Sequence, residues 1–273
     1  MSTRAKLYKS GYLLKFPYTI SVLMCLVLLC AYTPLDKKQK GQIKIVAIDA
    51  GHGGKDVGST YGGAREKDVT LAVALKVGDL IEKLMPDVKV IYTRDKDEFI
   101  ELHERAGIAN RNNADLFISI HCNANKKTEV FGTETFSMGL HKTDGNLDVA
   151  RRENSVILLE KDYEEKYDGF DPNSPEGHIY FSFLQRAYLD QSLKLAAIVE
   201  KNFVGIKRSS RGVKQAGFMV LWRSKMPSIL IETGFISNNK ERAYLTSNSG
   251  QEELADAIAK AVKQYKVSVE KTQ

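Results

Sequence analysis

The sequence predicts an α/β fold built around one core, and three observations carry that expectation. Residues 43–48, 116–120 and 227–231 are short apolar runs rich in Ile, Val and Leu, each closed by glycine or polar residues, which is the pattern of buried strands. Between them apolar residues recur at helical spacing. The chain has 273 residues, 43% hydrophobic and 27% charged, enough for one sizeable core, and the composition excludes collagen-like repeats and wholesale disorder.

The amino terminus stands apart. Arg4, Lys6, Lys9 and Lys15 precede the first acid, Asp36, and lead into an apolar run over residues 16–31. A basic segment followed by a short apolar one reads as a secretory signal, with cleavage after Ala31. The alternatives are an uncleaved anchor, since Leu29 is large for its place before the cut, and a lipid anchor at Cys30, which the same Leu29 disfavours. Each exports the protein to the periplasm or cell envelope, and touches membrane only through this segment. The formal charge of +6 is mostly that leader. Without residues 1–31 there remain 36 basic and 34 acidic side chains, so no nucleic-acid partner is expected. Cys25 and Cys30 lie in the leader, which leaves Cys122 with no disulfide partner. The expected organisation is a signal or anchor at 1–31, a linker at 32–42, one catalytic domain at 43–266 and a tail at 267–273.

The first strand ends at Asp49 and breaks into Ala50-Gly51-His52-Gly53-Gly54. Glycine there lets the backbone turn sharply and approach a ligand, and active sites of α/β sheets form at the carboxyl ends of strands. After a loop through Gly62 and Gly63, a helix is expected from about Val69 until Pro86 stops it. Glu66 stands at its amino end. A carboxylate there suits the helix dipole, yet the loop also gives it freedom to fold back toward His52. Residues 88–94 read as the second strand, followed by a helix through Leu102, Arg105 and Ala109 on which His103 is a surface histidine. The strand at 116–120 ends in His121-Cys122-Asn123. Alternation along a strand turns Cys122 away from whatever His121 faces, which makes it a small buried apolar residue.

Farther on, residues 130–137 read as a strand near an edge and 147–160 as a helix carrying Arg151, Arg152 and Glu153. Residues 160–177, acidic and rich in Gly and Pro, read as a loop. A helix is expected over 179–203, a strand over 212–221 and a closing amphipathic helix over 251–265. The strand at 227–231 ends at Glu232. His52, His121 and Glu66, two histidines and a carboxylate each at a strand end or in the loop after one, match the three-ligand pattern of a catalytic zinc site, although copper or iron uses similar donors. If the strands are parallel, His52, His121 and Glu232 share one edge of the sheet, and Glu232 is placed to act as a base beside a metal-activated water.

Asp49-Ala50-Gly51-His52-Gly53-Gly54, Arg65-Glu66-Lys67, Ser119-Ile120-His121-Cys122-Asn123-Ala124 and Ile231-Glu232-Thr233-Gly234-Phe235-Ile236-Ser237-Asn238 together resemble the zinc-dependent N-acetylmuramoyl-L-alanine amidases of the type-3 amidase family, over about residues 43–262. The resemblance implies a twisted, mostly parallel sheet flanked by helices, with Zn2+ on His52, Glu66 and His121. It implies Glu232 as the catalytic carboxylate and hydrolysis of the amide between N-acetylmuramic acid and L-alanine in peptidoglycan. Arg65 and Asn123 are candidates to assist. The rival readings are a zinc peptidase acting within the stem peptide and an inactive wall-binding regulator. An activator protein is a possible partner, because similar amidases include members whose insert blocks the zinc. In this chain the acidic loop is the candidate insert, through Glu164, Glu165, Glu176 or His178.

Overall fold

The computed structural model describes residues 41–184 and 188–271. The expected signal or anchor at 1–31 and nearly all of the linker lie outside the described residues. Among those described, no helix is long and apolar enough to cross a membrane.

Six strands form the central sheet. In chain order they are β1 (Ile45–Ala50), β4 (Lys89–Tyr92), β5 (Leu116–Asn123), β6 (Thr133–Met138), β7 (Ser210–Ala216) and β8 (Ser228–Phe235). A two-stranded hairpin, β2 (Thr60–Tyr61) and β3 (Ala64–Arg65), lies between β1 and β4 in sequence. Across the sheet the order is β4-β1-β5-β8-β6-β7. Strands β4, β1, β5 and β8 are mutually parallel; β6 meets β8 antiparallel and pairs with β7 in parallel. The sheet is therefore mostly parallel with one reversal, and β6 lies one strand in from the edge. The three strands whose ends carry candidate residues, β1, β5 and β8, are neighbours, so their carboxyl ends form one continuous rim.

Alternation along these strands divides the core in two. Val46, Ile48, Ile118, Ile120, Cys122, Ile229 and Ile231 face one layer. That layer is made of α1 (Glu66–Leu84), α6 (Leu189–Gly205) and α8 (Asn248–Glu270), which follows the short α7 (Asn239–Leu245), and Val69, Val73, Val77 and Ile81 give α1 an apolar stripe at i, i+4 spacing. Ala47, Phe117, Leu230 and Phe136 face the other layer, built from α2 (Leu102–Arg111), a 3-10 turn at Ser155–Leu159 and the Phe218–Trp222 region. Both faces being covered explains why the central strands are continuously apolar.

Several expected boundaries move. The helix expected over 147–160 is α3 (Asp144–Asn154), capped by Thr143, and the 3-10 turn follows it. The strand expected over 212–221 ends at Ala216, and Met219–Leu221 is a 3-10 turn in the core. The helix expected over 179–203 is two, α5 (Pro175–Leu184) and α6. The closing helix α8 runs to Glu270, beyond the expected end of the domain. The acidic loop is not a solvated one. It holds a single turn, α4 (Tyr163–Lys166), and buries Tyr167 and Phe170, with Tyr167 beside Trp222. Its charges disguised two aromatic anchors.

Candidate metal centre

At the rim, β1 gives way to a turn in which His52 adopts φ 62°, a left-handed conformation uncommon for a residue with a side chain. Two buried arginines hold it there. Arg94 donates to the carbonyls of Ala50, Gly51 and Lys67, and Arg105 donates to those of Ala50 and His52. Arg105 also pairs with buried Asp49 at 2.8 Å, whose remaining bonds come from Thr93 and Ser119. Burial opposes the Asp49 charge, but Arg105 and the two hydroxyls hold its carboxyl below the usual range. Lys67 Nζ ties Gly54 to Asp97. One polar network thus fixes the His52 turn against the first turn of α1.

That first turn delivers Glu66, which is fully buried and folds back to His52 as the loop allowed. Its Oε1 accepts the Cys122 N–H and its Oε2 the Ser59 N–H, so the carboxylate is held from both sides. Asp56 accepts from His52 Nδ1 at 2.8 Å, which turns Nε2 inward. The His121 ring lies where a Cβ on Gly51 would come within 2.5 Å, so only glycine at 51 admits it. Cys122 points to the opposite core, as alternation required, and burial pushes its thiol well above the usual range.

A fourth side chain joins these three. Glu153, in the last turn of α3, is 4% exposed and enters between the histidines. His52 Nε2 lies 3.1 Å from Glu66 Oε1 and 3.3 Å from Glu153 Oε2. His121 Nδ1 lies 3.3 Å from Glu66 Oε1 and 3.1 Å from Glu153 Oε2. All four donor atoms fall within 4.8 Å of one another. His52 Nε2, His121 Nδ1 and Glu153 Oε2 are buried and make no hydrogen bond. Donors that converge without bonding one another form a cluster able to hold a metal ion. A tetrahedral ion with bonds of ~2.0–2.1 Å separates its ligands by ~3.3 Å, which the four separations match.

Beside the cluster, Glu232 is the direct cross-strand partner of His121 and is fully buried, with both carboxylate oxygens unbonded. Burial and the nearby Glu153 charge push its carboxyl well above the usual range, against the pull of Arg152 and His121. Arg152 Nη2 stands 3.6 Å from Glu232 Oε1, 2.9 Å from Glu153 and 3.0 Å from Asn123 Oδ1. A cavity of about 340 Å³ opens next to the cluster, lined by His52, Glu66, Arg152, Glu153 and Leu159 among others.

The four residues singled out in the sequence are therefore brought together, whereas Arg65 turns outward to Asp68. Asn123 reaches the site through Arg152. None of the acidic-loop candidates is in the cluster. Glu164, Glu165 and Glu176 are exposed, and buried His178 bonds to Pro172 and Gly217 carbonyls. The carboxylate that joins the cluster is Glu153, from the helix before the loop, and not one of the loop's own. His103 is also less exposed than expected, with Nδ1 3.6 Å from Glu101 and 3.8 Å from Glu160. Sequence reasoning passed over Glu153, Asp56, Arg94 and Arg105. Only the adjacent Arg152-Glu153 pair, charged residues on an otherwise amphipathic helix, carried any signal.

Fold and site define an α/β protein with a His/Glu cluster able to hold a metal ion at the carboxyl ends of parallel strands. The N-acetylmuramoyl-L-alanine amidase family model matches residues 46–264, and the chain belongs to that family. It is 34% identical over 226 residues to the N-acetylmuramoyl-L-alanine amidase AmiC of Escherichia coli, covering 81% of this chain and 52% of that protein, so it spans about half the length of this relative. Among solved structures, the catalytic domain of the amidase CwlV from Bacillus (Paenibacillus) polymyxa superposes with TM-score 0.61 at 30% identity, covering 83% of this chain and 99% of that one. The CwlD amidase of Clostridioides difficile, solved in complex with the GerS lipoprotein, superposes with TM-score 0.60 at 27% identity, covering 83% and 99%.

Proposed function

We propose that this chain is a zinc-dependent N-acetylmuramoyl-L-alanine amidase that hydrolyses the amide between N-acetylmuramic acid and the L-alanine of the peptidoglycan stem peptide, and that it rests in a closed state. The observation that carries the reading is the convergence of His52 Nε2, Glu66 Oε1 and His121 Nδ1 beside a buried, unbonded Glu232. Two imidazoles and a carboxylate suit zinc, and His52, Glu66 and His121 would hold it. Bound there, zinc supplies Lewis acidity that makes water a nucleophile near neutral pH and polarises the scissile carbonyl. Glu232 takes the proton of the attacking water on a carboxylate oxygen and returns it to the leaving amine. Asp56 keeps the His52 tautomer that presents Nε2. Glu153 occupies the corner that an open catalytic site leaves to water, and Arg152 engages Glu232, so α3 must withdraw before substrate enters. A partner that pulls α3 away would be an activator. Reaching peptidoglycan requires export, which residues 1–31 would supply, ahead of a catalytic domain beginning near Ile43.

The test is digestion of purified peptidoglycan by the zinc-loaded full chain, native and with Glu153→Ala, followed by mass spectrometry. Intact stem peptides released from the glycan support the reading. Shortened stems would instead assign a peptidase, and no product from either protein would make the chain a binder.

A further inference from the structure

Next to the cluster, under the amino-terminal half of α3, lies a second cavity of about 150 Å³ whose roof includes Thr143, Asn146 and Val149 and whose floor is Glu134, Arg211 and Lys214. The sheet places this floor in line with the reacting groups. His121 pairs across strands with Glu232, Glu232 pairs with Glu134, and Arg211 on β7 reaches Glu134 with Nε. At ~4.8 Å per strand, Arg211 starts about 10 Å from Glu232 along the rim.

The charge there does not balance. Glu134 is 3% exposed and takes both Arg211 and, at 2.8 Å, Lys214. It is the only acid among the described residues lining the cavity, so one positive charge is left over. Arg211 is also held in place. Its guanidinium lies 5.3 Å from the Phe235 ring centroid, and Nε is spent on Glu134. Its two Nη groups make no hydrogen bond to any described residue, and the side chain is 40% exposed. A guanidinium anchored by Nε with its terminal fork free has the geometry of a bidentate carboxylate receptor.

We propose that Arg211, backed by Lys214, is the subsite that binds a free carboxylate of the stem peptide one residue beyond the scissile amide, and so sets the enzyme's preference for an acidic residue after L-alanine. This rests on the amidase reading. An extended peptide advances ~3.3–3.6 Å per residue, so such a carboxylate lies about 7 Å from the reacting nitrogen, within the span from Glu232 to the guanidinium. The same helix that brings Glu153 to the cluster roofs this subsite, so opening the site would expose both together.

The experiment compares two synthetic muramyl dipeptides that differ in one group, N-acetylmuramyl-L-alanyl-D-isoglutamate with a free α-carboxylate and the corresponding D-isoglutamine with an uncharged amide. Both are given to the zinc-loaded full chain carrying Glu153→Ala, with and without Arg211→Gln. A charge-assisted bidentate contact predicts a kcat/KM preference for the acid of about 10- to 100-fold. Arg211→Gln should reduce this ratio to near one and Arg211→Lys should restore part of it, while an unchanged thermal unfolding midpoint and zinc content exclude loss of fold as the cause. Equal rates on acid and amide before the substitution, or a ratio unchanged by it, overturn the subsite alone. If neither the native chain nor the Glu153→Ala chain cleaves either compound or peptidoglycan, the amidase reading fails and this proposal with it.

Discussion

Glu153 sets its Oε2 3.1 Å from Nδ1 of His121, and the preceding residue, Arg152, stands 3.6 Å from Glu232. Two consecutive residues of one helix therefore reach both the His/Glu cluster and Glu232. In the proposed reading Glu153 stands where an open site would hold water, and Arg152, while α3 stays docked, pulls against the burial and the Glu153 charge that raise the Glu232 carboxyl.

Glu153→Ala removes the plug and leaves His52, Glu66 and His121 intact. Hydrolysis of purified peptidoglycan should rise at least ~10-fold, which corresponds to ~1.4 kcal/mol of bias toward the closed state. Zinc content, measured by atomic absorption, should stay unchanged. An unaltered rate would mean that α3 does not limit access.

Replacing residues 162–176 with a Gly-Ser linker acts less directly. Tyr167 and Phe170 are buried in the core beneath the site, and Tyr167 donates to Glu160. The replacement should loosen α3 and raise the rate, while losing two aromatic anchors lowers Tm. A faster enzyme with unchanged Tm would show that the segment is only a cover.

The proposed ligands and the proposed base separate by metal content. His52→Ala, Glu66→Ala or His121→Ala should each lose zinc and activity together. Glu232→Gln should keep near-stoichiometric zinc while turnover falls at least ~10²-fold. Zinc loss from Glu232→Gln, or full activity in His121→Ala, would reverse the assignments.

Asp49 links the site to acid stability. Its folded carboxyl titrates below the unfolded value of ~3.9, so the folded state binds fewer protons in that window and stability rises with pH across it. The Asp49 contribution is complete above ~3.9 and is lost as pH falls through the lowered folded value. Asp49→Asn strands the Arg105 charge in the core and should cost about 3–5 kcal/mol at neutral pH. Its urea midpoint should also vary less between pH 5 and 2 than that of the native chain. Parallel acid profiles for the two proteins would show that the Asp49–Arg105 pair has no such role.

How much was legible depended on whether a signal was local. His52, His121 and Glu232 each end a buried apolar run, and the parallel order β1-β5-β8 turned those strand ends into neighbours. Glu66 was legible because glycines before it freed the chain to return. Arg94 and Arg105 carried no functional signal, one as the end of the second strand and the other as a position of the helix after it. Their partners are backbone carbonyls of a turn 43 to 55 residues away, a relation that no local pattern encodes. Tyr167 and Phe170 were hidden for the opposite reason, because the acids around them resembled a solvated loop.

The sequence by itself determined the central strands, the family and three of the four side chains that meet at the rim, since strand alternation, glycine turns and donor chemistry are properties of short stretches. The tertiary structure alone decided the state of the site. Glu153 is one of three carboxylates on its helix until packing of Val156, Ile157, Tyr167 and Phe170 against the sheet drives α3 to the rim. A side chain's burial and its distance from partners over thirty or eighty residues away come from how layers pack. A buried carboxylate costs too much to leave unpaired, so once packing carries Glu153 inward its place lies among the two histidines and Arg152.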